Sequence, residues 1–206
     1  MKILLLGPPA SGKGTVGEDL SDLLKVPLIS AGRELRNLPE THPRYKEVHE
    51  CMNAGKPAPK DFLGELLDER TSREDCKNGF VMDGWGRAMV DLEHFDPDFD
   101  LVLLINLSRE AAIKRITGRR ICDADGEIYN IYTLPKDELE KCKGNFTQRE
   151  DDNEGVVNYR YDLFESETSE VVDHFKKMGI LVEVDGEPLP EQVLSGVLSA
   201  LKVSHD

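Results

Sequence analysis

The sequence predicts an α/β domain: a five-stranded parallel sheet with helices on both faces. Three observations predict it. Five short apolar runs, Ile3–Leu6, Val26–Ile29, Phe80–Met82, Leu101–Ile105 and Ile180–Val184, alternate with segments of helical periodicity. The runs are close to continuously apolar, as strands buried on both faces are, rather than alternating apolar with polar. A glycine-rich turn joins the first run directly to a helix, so the chain begins as strand, turn, helix. A length of 206 residues suits one such domain with small insertions, and it buries a core without disulfide staples.

Taken in order, Ile3–Leu6 is a strand ended by Gly7. From Gly12 to about Lys25, Val16, Leu20, Leu23 and Leu24 recur at helical spacing. Val26–Ile29 is the second strand, and Ser30 is placed to cap a helix carrying Leu35 and Leu38. Pro43 to Ala54 reads as a helix, with Pro43 in the first turn and Gly55 as the stop. Asp61 to about Arg70 is amphipathic. Phe80–Met82 is a strand that turns at Asp83-Gly84, and Leu101–Ile105 is the next. Ser108 caps a helix running to about Gly118. A polar stretch from Ile121 to Thr147 breaks the rhythm. A long helix is expected from near Asp151 to Lys177, then the strand Ile180–Val184 and a helix opened by Pro190. Two segments, roughly 31–59 and 121–148, therefore stand as insertions projecting from the core.

Forty acidic against 26 basic residues give a net charge of −14. Bulk charge of that sign excludes a protein that coats nucleic acid or lies on anionic lipid. No apolar run approaches the ~20 residues of a membrane span, and Met1-Lys2 leads straight into Ile3–Leu6 without a secretory leader. The four cysteines, Cys51, Cys76, Cys122 and Cys142, are too few for a disulfide scaffold. A cytoplasmic, monomeric protein with reduced thiols is expected. The five histidines show no metal-ligand spacing.

The strongest chemical signal is Gly7-Pro8-Pro9-Ala10-Ser11-Gly12-Lys13-Gly14-Thr15. It obeys G-x-x-x-x-G-K, with Gly14 in the usual Ser/Thr place and Thr15 one step later. Its position between strand and helix is the one the mechanism needs. Glycines let backbone N–H groups converge on phosphate oxygens, the helix N-terminus adds positive potential, and Lys13 adds a full charge. This is a phosphate loop, and the core is therefore of the P-loop NTPase type. The loop alone does not choose between GTPase, transporter ATPase and kinase. Neither an Asn-Lys-x-Asp nor a Leu-Ser-Gly-Gly-Gln segment is present.

The rest of the chain carries a family likeness. Beside the Gly-Lys-Gly-Thr loop stand Ser30-Ala31-Gly32-Arg33-Glu34-Leu35-Arg36, Ala54-Gly55-Lys56 with Pro59-Lys60-Asp61, and Gly79-Phe80-Val81-Met82-Asp83-Gly84-Trp85-Gly86-Arg87. Arg115 with Gly118-Arg119-Arg120 and then Gln148-Arg149-Glu150-Asp151-Asp152 with Arg160 follow in order. Over nearly its whole length the chain resembles the adenylate kinase family of nucleoside monophosphate kinases, in its long-lid bacterial-type form. The resemblance implies a core of 1–30, 60–120 and 149–206, a helical NMP-binding insertion at 31–59 and a lid at 121–148. It implies Mg²⁺-dependent transfer of the ATP γ-phosphoryl to a nucleoside monophosphate, AMP first. Gly7, Gly12, Lys13, Gly14, Thr15, Arg115 and Arg119 would hold ATP. Ala31, Arg36, Lys56, Gly84, Arg87 and Asp91 would hold the acceptor. Lys13, Arg87, Arg119, Arg149 and Arg160 would serve the transferring group, and Asp83 would orient water on Mg²⁺. Arginine suits such work because its planar fork grips phosphate bidentately and stays charged. Arg115 and Arg119, four apart, share a helix face.

Departures from the family pattern bear on substrate and metal. Ala31 stands for a threonine, Arg33 for an aspartate, and Trp85-Gly86 for Phe-Pro. Asp91 falls where the family's glutamine reads adenine. A carboxylate only accepts hydrogen bonds, which would suit the N1–H and amino donors of guanine. GMP is therefore the alternative acceptor, and a non-catalytic nucleotide sensor the alternative function. In the lid, Cys122-Asp123-Ala124-Asp125 and Cys142-Lys143-Gly144-Asn145 occupy the places of a zinc knuckle. Asn145 is a poor zinc ligand. A hydrogen-bonded lid with two free thiols is the expectation, with Zn²⁺ held by Cys122, Asp125 and Cys142 as the alternative.

Overall fold

A computed structural model describes residues 1–54, 56–188 and 190–203. The chain opens with β1 (Lys2–Leu6), the phosphate loop, and α1 (Lys13–Leu24). β2 (Leu28–Ser30) starts later than expected, because the Val26 N–H still donates to Ser21 O (3.2 Å) and closes the helix. The first insertion carries α2 (Ala31–Arg36) and α3 (Tyr45–Asn53), followed by α4 (Lys60–Thr71). Ser30 sits at the N-cap of α2, but its side chain makes no capping bond. The expected stop at Gly55 lies outside the described residues. β3 (Phe80–Asp83), α5 (Met89–His94), β4 (Leu101–Asn106) and α6 (Arg109–Gly118) follow. Here Ser108 does cap, accepting from the Ala111 N–H at 3.3 Å.

The second insertion is not irregular. β5 (Arg119–Cys122), β6 (Ile128–Asn130), α7 (Lys136–Leu139) and β7 (Phe146–Thr147) form a small antiparallel sheet, ordered β6-β5-β7, with one short helix. α8 (Glu154–Leu163) begins at a true cap, Asn153 Oδ1 accepting from Val156 N at 3.0 Å. It is thus three residues later than the sequence suggests. A π-helical segment (Phe164–Thr168) carries it into α9 (Ser169–Met178). β8 (Leu181–Asp185) and α10 (Pro190–Val203) complete the fold.

The main sheet is five-stranded in the order β2-β3-β1-β4-β8, and every pairing is parallel. Alternate residues of β1 explain why its run is wholly apolar. Leu4 and Leu6 face one layer with Ile29, Met82, Val102, Trp85 and Phe175. Ile3 and Leu5 face the other, with Leu20, Val81, Leu103 and Val197. Trp85, 2% exposed, can be buried because its indole N–H donates to Phe95 O at 2.9 Å. A third cluster, around Ile116, Val157 and Tyr161, joins α6 to α8 below the second insertion. Parallel strands place all their C-terminal ends on one edge, where loops between strand and helix gather. Among the described residues no helix is long and apolar enough to cross a membrane.

The expectation of reduced lid thiols is corrected: Cys122 and Cys142 form a disulfide. Cys122 is fully buried at the end of β5, and the chain returns to it after α7, so the short sheet brings the two sulfurs together. The bond also removes both sulfurs as zinc ligands. Asp125 meanwhile accepts from Glu127 N (2.9 Å), and Asn145 is bound to Asp123. The residues present do not fit a zinc site. Cross-linking across a separation of 20 residues stabilises by about 3 kcal/mol in the chain-entropy account. Reduction, or Cys142→Ser, is therefore expected to speed amide exchange throughout 119–147 and leave β1, β3 and β4 unchanged. Equal exchange in both redox states would show that the bond does not hold the lid together.

Candidate active site

The phosphate loop folds between β1 and α1 as its sequence demands. Gly7 has φ +145°, and a Cβ there would lie 2.4 Å from Ile105 O, so only glycine lets the loop press against β4. Gly12, φ +94°, turns the chain into α1. Gly14 and Thr15 lie exposed in the first turn of the helix. Lys13 curls back over the loop, its Nζ donating to Gly7 O (2.8 Å), Pro8 O (2.7 Å) and Ser11 Oγ (3.1 Å). Crowding by protein lowers its pKa to about 8; nearby Asp83 opposes this and Arg87 adds to it.

Asp83 ends β3 directly beside the loop, in register with Leu5 of β1. Its Oδ1 is buried and has no hydrogen-bond partner among the described residues. A carboxylate oxygen so placed fits a hydrated Mg²⁺, which keeps most of its water and takes few protein ligands. No group of three metal-ligating side chains exists among the described residues.

The arginines come from different elements and meet. Arg87 lies in the loop after β3, close to Asp83 and Arg160. Arg36 ends α2 and faces Arg119, Arg160 and Asp151. Arg149 faces Arg119 and Arg36. Arg119 at the start of β5 is held by buried Asp152, with Nε 2.9 Å from Oδ2 and Nη2 on Oδ1. Arg160 on α8 pairs with Asp151 at 2.8 Å. Among the described residues the guanidinium groups of Arg36, Arg87 and Arg149 have neither hydrogen bond nor ion pair. Burial pushes the pKa of all three down, that of Arg149 to about 10; neighbouring cations add to this, while Asp151 beside Arg36 and Asp83 beside Arg87 oppose it. Arg36, Arg149, His49, Met52 and Asp151 line a cleft of about 380 Å³ between the two insertions.

The remaining candidates divide. Ala31, Gly84 and Arg87 come together: a Cβ on Gly84 would lie 3.3 Å from Ala31 Cβ and 3.5 Å from Arg87 Nη2. Lys56 is exposed, in the loop before α4. Arg115 braces rather than waits. It donates to the carbonyls of Ala10 (3.3 Å), Glu187 (3.1 Å) and Pro188 (3.4 Å), tying the phosphate loop to the turn after β8. Asp91, expected to read the acceptor base, is bonded to backbone here. It is 5% exposed, one oxygen accepts from the N–H groups of Arg87 and Ala88, and the other faces Lys60. Its position at the third residue of α5 draws the carboxylate onto the helix start. Sequence reasoning missed His49, Met52 and Thr168, whose places follow from packing and carry no motif.

A phosphate loop, an orphan carboxylate beside it and clustered arginines between two insertions define a phosphotransferase that handles two phosphorylated substrates at once. Comparison with known proteins narrows this. The family model described as adenylate kinase matches residues 5–180. An adenylate kinase of Thermosipho africanus is 35% identical over 213 residues, 98% of this chain and 100% of the relative. Those of Clostridium kluyveri and Thermotoga maritima are each 35% identical, over 98% and 97% of this chain and 98% and 96% of theirs. The chain belongs to the adenylate kinase family.

Lys13 makes this site sensitive to pH. Its folded pKa, about 8, lies below the usual lysine value of 10.5. Between those values the unfolded chain holds more protons at this group, so its contribution to stability rises with pH there. A polyphosphate favours the ammonium form. ATP binding is therefore expected to take up protons at pH 8.5 and to weaken as pH rises further. Titration calorimetry in buffers of different ionisation enthalpy reads the uptake, and identical apparent enthalpies would contradict it.

Proposed function

We propose that this chain transfers the γ-phosphoryl group of ATP to AMP, yielding two ADP, with both nucleotides held along the C-terminal edge of the sheet. One observation carries the reading. Lys13, Arg36, Arg87, Arg119, Arg149 and Arg160 converge from the core, from the first insertion and from the two ends of the second, although the chain carries a net −14. Among the described residues three of the guanidinium groups have carboxylates nearby but form no direct ion pair with them, in a protein with 40 acidic residues. Such crowding is unfavourable until polyanions arrive, and phosphoryl transfer brings two.

The roles follow from position. The loop's N–H groups, Lys13 and the start of α1 hold the donor phosphates, with Arg115 keeping the loop against the turn after β8. Arg36 and Arg87, beside Ala31 and Gly84, hold the acceptor phosphate, and exposed Lys56 would add charge to that side of the site. Arg119, Arg149 and Arg160 surround the transferring group. Mg²⁺, held through water by Asp83, would offset charge on the donor phosphates. The acceptor phosphate oxygen attacks phosphorus directly, so no protein nucleophile is required. The insertions at 31–59 and 121–148 act as covers over acceptor and donor, excluding water when closed. A cytoplasmic monomer acting on free nucleotides fits this reading, and cellular thiols could then reduce the Cys122–Cys142 bond. The inward turn of Asp91 removes the argument for guanine, and the full set of phosphate-holding cations argues against a non-catalytic sensor.

The test is a coupled assay of Mg-ATP against AMP, GMP, CMP, UMP and dAMP in parallel. AMP is expected to be the fastest acceptor. Arg119→Ala and Arg149→Ala are each expected to lower kcat by about 10²–10³-fold, as loss of one aimed donor does. No turnover with any of the monophosphates would overturn the reading.

A further inference from the structure

Arg87 is placed by a loop, not by a helix or strand. Its backbone groups therefore have no ladder to hold them, and a phosphate-gripping side chain needs its Cα fixed to within a fraction of an ångström. The structure supplies a clamp on both sides. The Arg87 N–H donates to Asp91 Oδ2 at 2.7 Å, and the Thr168 hydroxyl donates to Arg87 O at 2.8 Å. Asp91 is 5% exposed and Thr168 2% exposed, and they are two of only four buried polar or charged residues among those described. Burying such groups costs free energy unless they are bonded, and each spends a bond on this one loop residue.

Ordinary helix capping does not account for the pattern. Asp91 does cap α5, accepting from Ala88 N at 3.0 Å, while Ala88 has no side-chain acceptor to return the bond. Capping explains neither the shorter bond to Arg87 N nor the hydroxyl on Arg87 O. Thr168 is the last residue of the π-helical segment between α8 and α9, and widened turns of this kind re-aim side chains at functional positions. The second Asp91 oxygen lies 3.2 Å from Lys60 Nζ, and Lys60 is also 3.8 Å from Glu167. Lys60 is the first residue of α4, where the chain returns from the acceptor insertion. The clamp thus joins the exit of that insertion, the Arg87 loop and the π-helical segment.

We propose that Asp91 and Thr168 are positioning residues that hold Arg87 for the acceptor phosphate. The inference rests on the phosphotransfer reading above. The residue in the family's base-reading place has thereby become part of the phosphate grip, and the acceptor is held here by its phosphate rather than by this side chain's reading of its base. Thr168→Val deletes the hydroxyl at nearly constant shape. Asp91→Ala deletes the acceptor, whereas Asp91→Asn keeps one oxygen for the Arg87 N–H.

The experiment measures kcat and KM for AMP and for ATP separately, with AMP affinity by titration calorimetry as a readout that needs no turnover. Thr168→Val and Asp91→Ala are expected to lower kcat/KM for AMP about ten- to a hundredfold, the scale of a small misplacement of a substrate-holding group. KM for ATP should change less than twofold, Thr168→Ser should restore the wild-type values, and Asp91→Asn should fall between. In an Arg87→Lys background Thr168→Val should add little, because both act through one side chain. Unchanged AMP parameters in folded Thr168→Val and Asp91→Ala, or equal losses for AMP and ATP, would overturn the clamp. Thermal melts identify variants that have lost their fold, and Thr168→Ser and Asp91→Asn then decide the matter. A wild-type protein that phosphorylates no monophosphate would instead overturn the activity. AMP affinity that still fell in the variants would leave the clamp standing.

Discussion

Like charges gathered in a cleft repel one another, and a fold that gathers them must hold them rigidly or lose them to solvent. Here the parallel sheet provides the rigidity. Its strands end on one edge, so the loops after β1 and β3 present Lys13, Asp83 and Arg87 from a frame packed on both faces. Everything chemical in the molecule depends on that edge. The phosphate loop can press against β4 only because residue 7 lacks a side chain. Burial first, with neighbouring cations adding to it and nearby aspartates opposing, lowers the pKa values of Lys13, Arg36, Arg87 and Arg149.

The carboxylates near this edge have separate tasks, decided by what each oxygen meets. Asp152 and Asp151 take one arginine each and hold Arg119 and Arg160 without neutralising the whole cluster. Asp83 keeps one oxygen unpaired, which suits a hydrated cation. Asp91 turns away from the cleft and serves backbone N–H groups instead. Residue type alone does not separate these roles, since all four are aspartates within reach of arginine. Burial and direction do.

The same distinction explains how much could be read from sequence. β1, β3 and β4 were legible because they are buried on both faces, so their residues are apolar almost without interruption, and the edge strands β2 and β8 through shorter apolar runs. The phosphate loop was legible because its glycines answer a local steric need. The arginines were legible through family likeness, and packing then showed which are free and which already paired. β6 and β7 were illegible: three and two residues long, and partly or fully exposed, they carry no hydrophobic pattern. The disulfide was illegible because 20 residues separate its sulfurs and only β5 and the returning chain bring them together. The direction of Asp91 was illegible because register names a position only, and the start of α5 draws the carboxylate onto the N–H groups of Arg87 and Ala88. Thr168 had no signal, since its orientation comes from a π-helical segment that breaks the α-helical period.

The distribution of cations also bears on how two covers could close. Lys13 and Arg87 belong to the rigid core, and the Arg87 backbone is fixed from both sides. Arg36 belongs to the first insertion, while Arg119 and Arg149 flank the second. In the proposed closure, bringing the first insertion toward the core would bring Arg36 further onto Arg119 and Arg160, positive charge toward positive charge. Without nucleotide that approach is resisted; with phosphates between them every one of those repulsions becomes an attraction through the ligand. A closed form favoured only when polyanions occupy the cleft is what differential affinity for two conformations requires. In the proposed motion, cation repulsion, which adds to burial in lowering the arginine pKa values, would hold the covers apart until both substrates are present and so keep water from a bound ATP in a closed but half-filled site.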